Sequence, residues 1–298
     1  MPSLKDVKMK IAGVGKTQQI TKAMNMVASA KLRGAQNRIE RFRPFASRYR
    51  KVLTELAAKA EGAAHPLLEK HADPKNAALV VITSDRGLCG GFNAAIIDRA
   101  ASIIAEKKGQ GMGVKAICVG RKGRDAIRRM ADVEMLESYG DRMGSLDFAL
   151  ASSVAQTVIH SYETGELDEV YLVYGEFVSM AQQPPRCVQL LPFEAPVAED
   201  GKEADEKAEG PHCEYIYEPA EEQLLGVILP QYLKVQTYRG MLDTSASENA
   251  ARMTAMDNAT RNCTDLINSL TLLFNKTRQA SITSELIDIV GGAEAQNG

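Results

Sequence analysis

Residues Glu221 to Val290 constrain this chain more than any other stretch. They run for about 70 residues with no proline after Pro230 and no glycine between Gly240 and Gly291. At about 1.5 Å per residue this predicts a helix on the order of 100 Å long, whereas helices of compact domains average about 11 or 12 residues. Around Leu266, Ile267, Leu270, Leu272, Leu273 and Phe274 it is apolar on every face. A helix apolar all round is an enclosed one. Too little of the remaining sequence is free to enclose it, so other subunits are expected to do so.

A second long helix is predicted over residues 3–58. Leu4, Val7, Ile11, Val14, Gln18, Thr21, Asn25, Ala28, Leu32, Ala35, Ile39, Phe42, Ala46, Tyr49, Leu53 and Leu56 hold one heptad phase, with polar interruptions only at Gln18, Thr21 and Asn25. A strict seven-residue repeat selects a left-handed supercoil with a partner helix. The obvious partner is the other long helix, which gives an antiparallel coiled coil built from both ends of the chain. Pro44 falls inside the pattern without breaking its phase, so a local kink is expected there, and another at Pro230.

Between the two helices the text alternates. Strands are expected at Ala78–Thr83, Lys115–Gly120, Glu169–Tyr174 and Cys187–Leu191. Helices are expected at Phe92–Lys108, from Gly120 to Met130, and at Leu146–Glu163. Such alternation gives a Rossmann-like α/β domain with a largely parallel sheet. The expected division is residues 1–60 for the first coiled-coil helix, 77–195 for the inserted domain, 196–220 for an acidic loop and return segment, and 221–292 for the second coiled-coil helix. Glu194–Glu222 holds 11 acids against Lys202 and Lys207; its Glu199–Gly210 portion has the composition of a mobile loop.

Charge is unevenly spread. Residues 1–60 carry 14 Lys or Arg and only Asp6, Glu40 and Glu55, a net of +11 in a chain whose net charge is −2. A merely solvated helix would intersperse acids, so the bias favours an acidic partner, either nucleic acid or acidic protein loops. Cys89, Cys118, Cys187, Cys213 and Cys263 are odd in number and form no C-x-x-C pair, which speaks for a reducing compartment and against a disulfide framework or zinc site. The four histidines have no metal-ligand spacing. No apolar run approaches the ~18–20 residues of a membrane span, and no signal-peptide h-region precedes the heptads.

Two glycine clusters invite a nucleotide reading. Gly13-Val14-Gly15-Lys16-Thr17 ends like a phosphate-binding loop, but Lys10 stands where the motif needs its first glycine, and the cluster lies inside a heptad-phased helix. Thr83 to Asn93 follows a strand and opens a helix, where phosphate would bind. Its spacing is not G-x-G-x-x-G, and a tight turn explains the glycines as well as a ligand would. Asp85 with Arg86 is most simply a local ion pair or turn former. No catalytic, cofactor-binding or metal-ligating set emerges. The readings open at this point are an assembly component built on a coiled coil, an enzyme binding nucleotide at residues 84–93, and a DNA-handling coiled-coil protein.

Several blocks carry a family resemblance. Ile20–Ala28 (I-T-K-A-M-N-M-V-A), the D-R-G-L-C-G-G core of Thr83–Gly91, Ser247–Ala259 and Asn275–Gly292 resemble, in order and over nearly the whole chain, the gamma subunit of bacterial F-type ATP synthases. The resemblance implies a central stalk and no activity of its own. Its coiled coil would penetrate an alpha3beta3 ring, and its insert would sit by an epsilon-type subunit and the membrane c-ring. It would bind no nucleic acid, and would lie on the cytoplasmic face of the plasma membrane, held there only through the complex. It further implies subunit contacts: Arg278 and Gln279 with a catch loop, Met24 and Lys22 with an acidic lever, and Tyr217 and Glu218 as a foot on the ring. Thr277 departs from the alanine frequent in the family. The cysteine-bearing insert of chloroplast relatives is missing, so no thiol switch is expected.

Overall fold

The computed structural model describes residues 3–59, 65–69, 71, 73–193 and 221–297. In chain order these form α1 (Leu4–Lys59), β1 (Asn76–Ile82), α2 (Phe92–Gly109), β2 (Gly113–Val119), α3 (Arg121–Ile127), β3 (Val133–Tyr139), α4 (Phe148–Glu163), β4 (Glu169–Gly175), β5 (Pro185–Leu191) and α5 (Glu221–Asn297). The acidic Glu199–Gly210 segment lies outside the described residues. The fold class is the expected one: mixed α/β, with a parallel-dominated sheet between two long helices.

The sheet order is β3-β2-β1-β4-β5. β1 pairs in parallel with β2 and with β4, β2 in parallel with β3, and β5 antiparallel with β4. Helices cover both faces, which is why β1 reads Ala77-Ala78-Leu79-Val80-Val81-Ile82, every residue fully buried. On one face, Leu79, Val81, Ala116, Cys118 and Val173 pack under α2 through Phe92, Ile96 and Ile103. On the other, Val80, Ile82, Ile117 and Leu172 meet α4 through Val154 and Val158, α1 through Leu53 and Leu56, and α5 through Leu229, Leu233 and Met241.

β3 is an element the sequence reading lacked. Its register against β2 shifts between Ala116 and Ile117. Val133 and Met135 therefore pack with the α2 side, while Leu136 and Tyr139 pack with the α4 side. The bulge breaks the two-residue alternation by which a half-buried edge strand is recognised.

The chain divides into two compact units. In the unit of Met1–Ala30 with Arg252–Gly298, α1 and α5 run antiparallel. Gln18 Nε2 donates to Thr264 Oγ1 at 2.7 Å, Thr21 and Thr260 share a hydroxyl contact at 2.8 Å, and Asn25 Nδ2 donates to the Met253 carbonyl at 3.0 Å. The three polar interruptions of the heptad pattern are thus cross-helix layers, each with a partner. In the unit of Lys31–Ala251, Leu32 and Ala35 of α1 close against Ala246 and Ala250 of α5, and the Phe42 ring meets Tyr238 edge-on at 5.0 Å. All sixteen heptad positions from Leu4 to Leu56 are buried or half-buried. α1 continues through Pro44 and α5 through Pro230.

Candidate functional site

In an open α/β sheet a ligand sits beyond the carboxyl ends of the strands, where the strand order reverses. Here that point lies between β1 and β4, flanked by the Thr83–Gly91 turn and by Gly175. It is filled by the chain itself. Thr244 Oγ1 of α5 accepts the Gly175 N–H at 3.3 Å, and Ser247 Oγ donates to the Gly175 carbonyl at 3.1 Å. Both hydroxyl residues are fully buried. α5 crosses the strand ends, packing Met241 with the α4-side core and Ala251 with the α2-side core. Gly240 permits that approach, since a Cβ there would stand 3.2 Å from Leu172 and 3.3 Å from Ile82; Gly175 makes room for α2 instead, since a Cβ there would collide with Phe92 at 2.4 Å.

The glycine-rich turn spends its polar groups internally. Asn93 Oδ1 accepts from the Ser84 N–H at 3.1 Å, Asn93 Nδ2 donates to Ser84 Oγ at 2.8 Å, and Ser84 Oγ reaches the Arg86 carbonyl at 2.6 Å. Asp85 corrects its sequence reading, for it is neither a local ion pair nor merely a turn former. Its carboxylate accepts the backbone N–H groups of Arg121 at 3.0 Å, Asp141 at 2.9 Å and Met143 at 3.0 Å. It ties the segments that follow β2 and β3 to the one that follows β1. Two residues there adopt left-handed backbone, Leu88 at φ 64° and Gly90 at φ 58°. The Thr83–Asn93 motif is therefore explained as a three-loop clasp, and the competing nucleotide reading loses the crevice it needs.

Most of the implied contact residues lie within the unit of Met1–Ala30 with Arg252–Gly298. Lys22 is exposed and Met24 half-buried, beside the Thr21–Thr260 and Asn25–Met253 layers. Arg278 and Gln279 are exposed on α5, roughly 30 Å further along that helix at 1.5 Å per residue. The structure does not gather these four into one site; it distributes them along a coiled coil. Tyr217 and Glu218 lie outside the described residues. No group of His, Cys, Asp and Glu suited to a metal ion occurs among the described residues. Sequence reasoning gave no role to Gly175 or Thr244, and marked Ser247 only as the first residue of the Ser247–Ala259 block. Their signal was faint: one glycine after a strand and two hydroxyl residues on a long helix.

Two long helices in antiparallel contact, and an α/β insert whose strand-end crevice is occupied by one of them, give the chain the architecture of a mechanical or scaffolding protein. Comparison with known proteins identifies which kind. A family model described as ATP synthase matches residues 3–296. The chain is 61% identical to the ATP synthase gamma chain of Nitratidesulfovibrio vulgaris over 100% of both chains, and 53% identical to that of Lawsonia intracellularis over 99% of both. Among solved structures it is similar to a central-stalk/c-ring structure of Tetrahymena thermophila mitochondrial ATP synthase, with 26% identity, a TM-score of 0.59, and coverage of 80% of this chain and 99% of that one. It shares its fold with a chain of the Euglena gracilis mitochondrial ATP synthase rotor, at a TM-score of 0.65 and 20% identity, covering 94% of this chain and 98% of that one. The chain belongs to the ATP synthase gamma-chain family. It is a non-catalytic central-stalk subunit, and catalysis lies in the beta subunits. It forms part of a membrane-associated complex, and no helix among the described residues is long and apolar enough to cross a membrane.

Proposed function

We propose that this chain is the turning shaft that couples ion flow through a membrane c-ring to ATP synthesis, or hydrolysis, in a surrounding alpha3beta3 ring on the cytoplasmic face of the membrane. In this reading residues 1–60 and 221–292 form the shaft, 77–195 the insert and 196–220 the return segment. The observation that supports it best is the surface of α5. Leu272, Leu286, Ile287, Ile289 and Val290 are 57–72% exposed, too much apolar surface for a helix that works in water. A ring of other subunits enclosing that end would bury it.

A shaft that is not threefold symmetric presents a different face to each of three equivalent sites. Its angle then biases each site among states of different nucleotide affinity, because only differential contacts shift such equilibria. Arg278 and Gln279 would hydrogen-bond a catch loop, Met24 and Lys22 would meet an acidic lever, and an epsilon-type subunit would bind the insert. Tyr217 and Glu218 would rest on the c-ring. The basic, exposed outer face of α1 suits acidic levers. Arg278→Ala with Gln279→Ala tests the assignment in the assembled complex. ATP turnover should fall about tenfold or more, the loss expected when one or two charge-assisted hydrogen bonds worth ~1.5–3 kcal/mol are removed, with assembly retained. Unchanged turnover in an intact complex would discard the catch contact.

A further inference from the structure

Within the Lys31–Ala251 unit, α1 carries a second stripe beside its seam. Arg41, Phe45, Arg48 and Val52 follow one another at spacings of four, three and four, which places them on one helix face. With Pro44, Tyr49 and Ile228 of α5 they line an open groove. Phe45 is 48% and Val52 41% exposed, and both arginines are exposed. The packing of α1 on α5 does not use this face, since Phe42, Ala46 and Leu53 already occupy the seam.

The groove has a fixed floor. The Phe45 ring lies 5.5 Å from Tyr49 and 5.8 Å from Phe42. Phe42 meets Tyr238 at 5.0 Å, and Tyr238 meets Phe148, at the start of α4, at 5.6 Å. An unbroken aromatic row therefore runs from the inserted domain across α5 to the outer face of α1. This part of α1 is strongly basic: from Lys31 to Lys59 it holds nine Lys or Arg against Glu40 and Glu55. Neither Arg41 nor Arg48 has an ion-pair partner among the described residues.

We propose that this groove docks an amphipathic helix of a partner subunit, with apolar side chains against Phe45, Tyr49 and Val52 and carboxylates beside Arg41 and Arg48. The two guanidinium groups stand seven positions apart, about 10.5 Å along α1. Carboxylates at i and i+7 on a helix lying alongside match that spacing, and each can take a forked pair of hydrogen bonds from arginine. An apolar floor between two charged flanks is the pattern of a helix-in-groove interface. A nucleic acid would meet it mainly through phosphates and leave the aromatic floor unused. The groove is separate from Arg278, Gln279, Met24 and Lys22, and the proposal rests on the shaft reading only in placing the chain within a larger complex.

The test uses the complete complex extracted from membranes, with Phe45→p-benzoylphenylalanine as a photo-crosslinker and mass spectrometry of the linked peptide. The expected product joins position 45 to a helical segment of another subunit that carries acids seven residues apart. Adding Arg41→Glu and Arg48→Glu should cut its yield about tenfold, as turning two exposed charge contacts repulsive costs on the order of 1.4 kcal/mol. Should position 45 not tolerate the probe, Val52→p-benzoylphenylalanine reports on the same groove. An assembled complex that links only lipid, detergent or a second copy of this chain overturns the proposal, as does a yield indifferent to charge reversal. Failure of the unsubstituted chain to copurify with the ring would count against the shaft reading instead.

Discussion

Asp243 is a carboxylate held where water is scarce. It lies on α5 at 6% exposure, with Arg239 Nε 3.8 Å away. Burial pushes its pKa up to about 6; Arg239 opposes the shift, Glu176 adds to it, and Arg43 and Arg186 oppose it from further off. The folded state therefore holds this proton to a higher pH than the unfolded chain does. Stability should fall as pH rises from about 4 to about 6 and then level off, by up to about 3 kcal/mol. Asp243→Asn removes that slope. Urea unfolding of the two proteins from pH 4 to pH 7 should show the variant gaining on the natural chain across this window, and parallel curves would refute the assignment. Such residues were poorly legible in the sequence. Asp243, Thr244 and Ser247 read as ordinary polar positions on a long helix, because their burial comes from strands about 70 residues earlier. Asp85 was visible as a residue but not as a hub, since its three backbone partners lie 36 to 58 positions away.

At the scale of elements, the coiled coil was legible because heptad phase is a local property repeated many times. The sixteen seam positions needed only periodicity to be found. The parallel strands β1, β2 and β4 announced themselves as apolar runs between glycine-rich turns, while β3 hid behind its bulge and its edge position. What periodicity left out was the purpose of the polar seam. Thr21 is 8% exposed and meets Thr260, whose hydroxyl also donates to the Met256 carbonyl at 2.8 Å. Thr21→Val should cost about 1 kcal/mol, because it leaves a half-dry acceptor unmatched. Thr21→Val with Thr260→Val should recover most of that loss. A double-mutant cycle by thermal unfolding measures it, and strictly additive costs would mean the layer is not a coupled pair. A polar pair placed inside an apolar seam typically fixes register, here between segments 239 residues apart.

The whole molecule is electrically divided and apolar at one of its surfaces. Residues 1–60 hold +11, leaving −13 for the remainder, and the exposed side chains of α5 from Leu272 to Val290 want company. The isolated chain should self-associate at micromolar concentration. Leu286→Glu with Ile289→Glu should reduce that association several-fold in sedimentation velocity, in line with removal of an exposed patch, while weakening incorporation into the complex. Self-association unaffected by the pair would place the sticky surface elsewhere. That the chain works among other subunits was legible from its unbroken C-terminal helix; which of its surfaces meets which partner was not, because partner surfaces leave no periodicity behind.

The pairing of Gln18 with Thr264, separated by 246 positions, has a consequence for biosynthesis. At about 5–20 residues per second, the ribosome needs on the order of ten seconds or more after releasing the α1 seam before the matching part of α5 emerges. Through that interval a long basic helix waits without the partner that closes its seam. The inserted domain also lacks the cover that α5 gives its sheet. Both the seam of α1 and the cover of the sheet are therefore completed only in the last quarter of translation, when α5 is made.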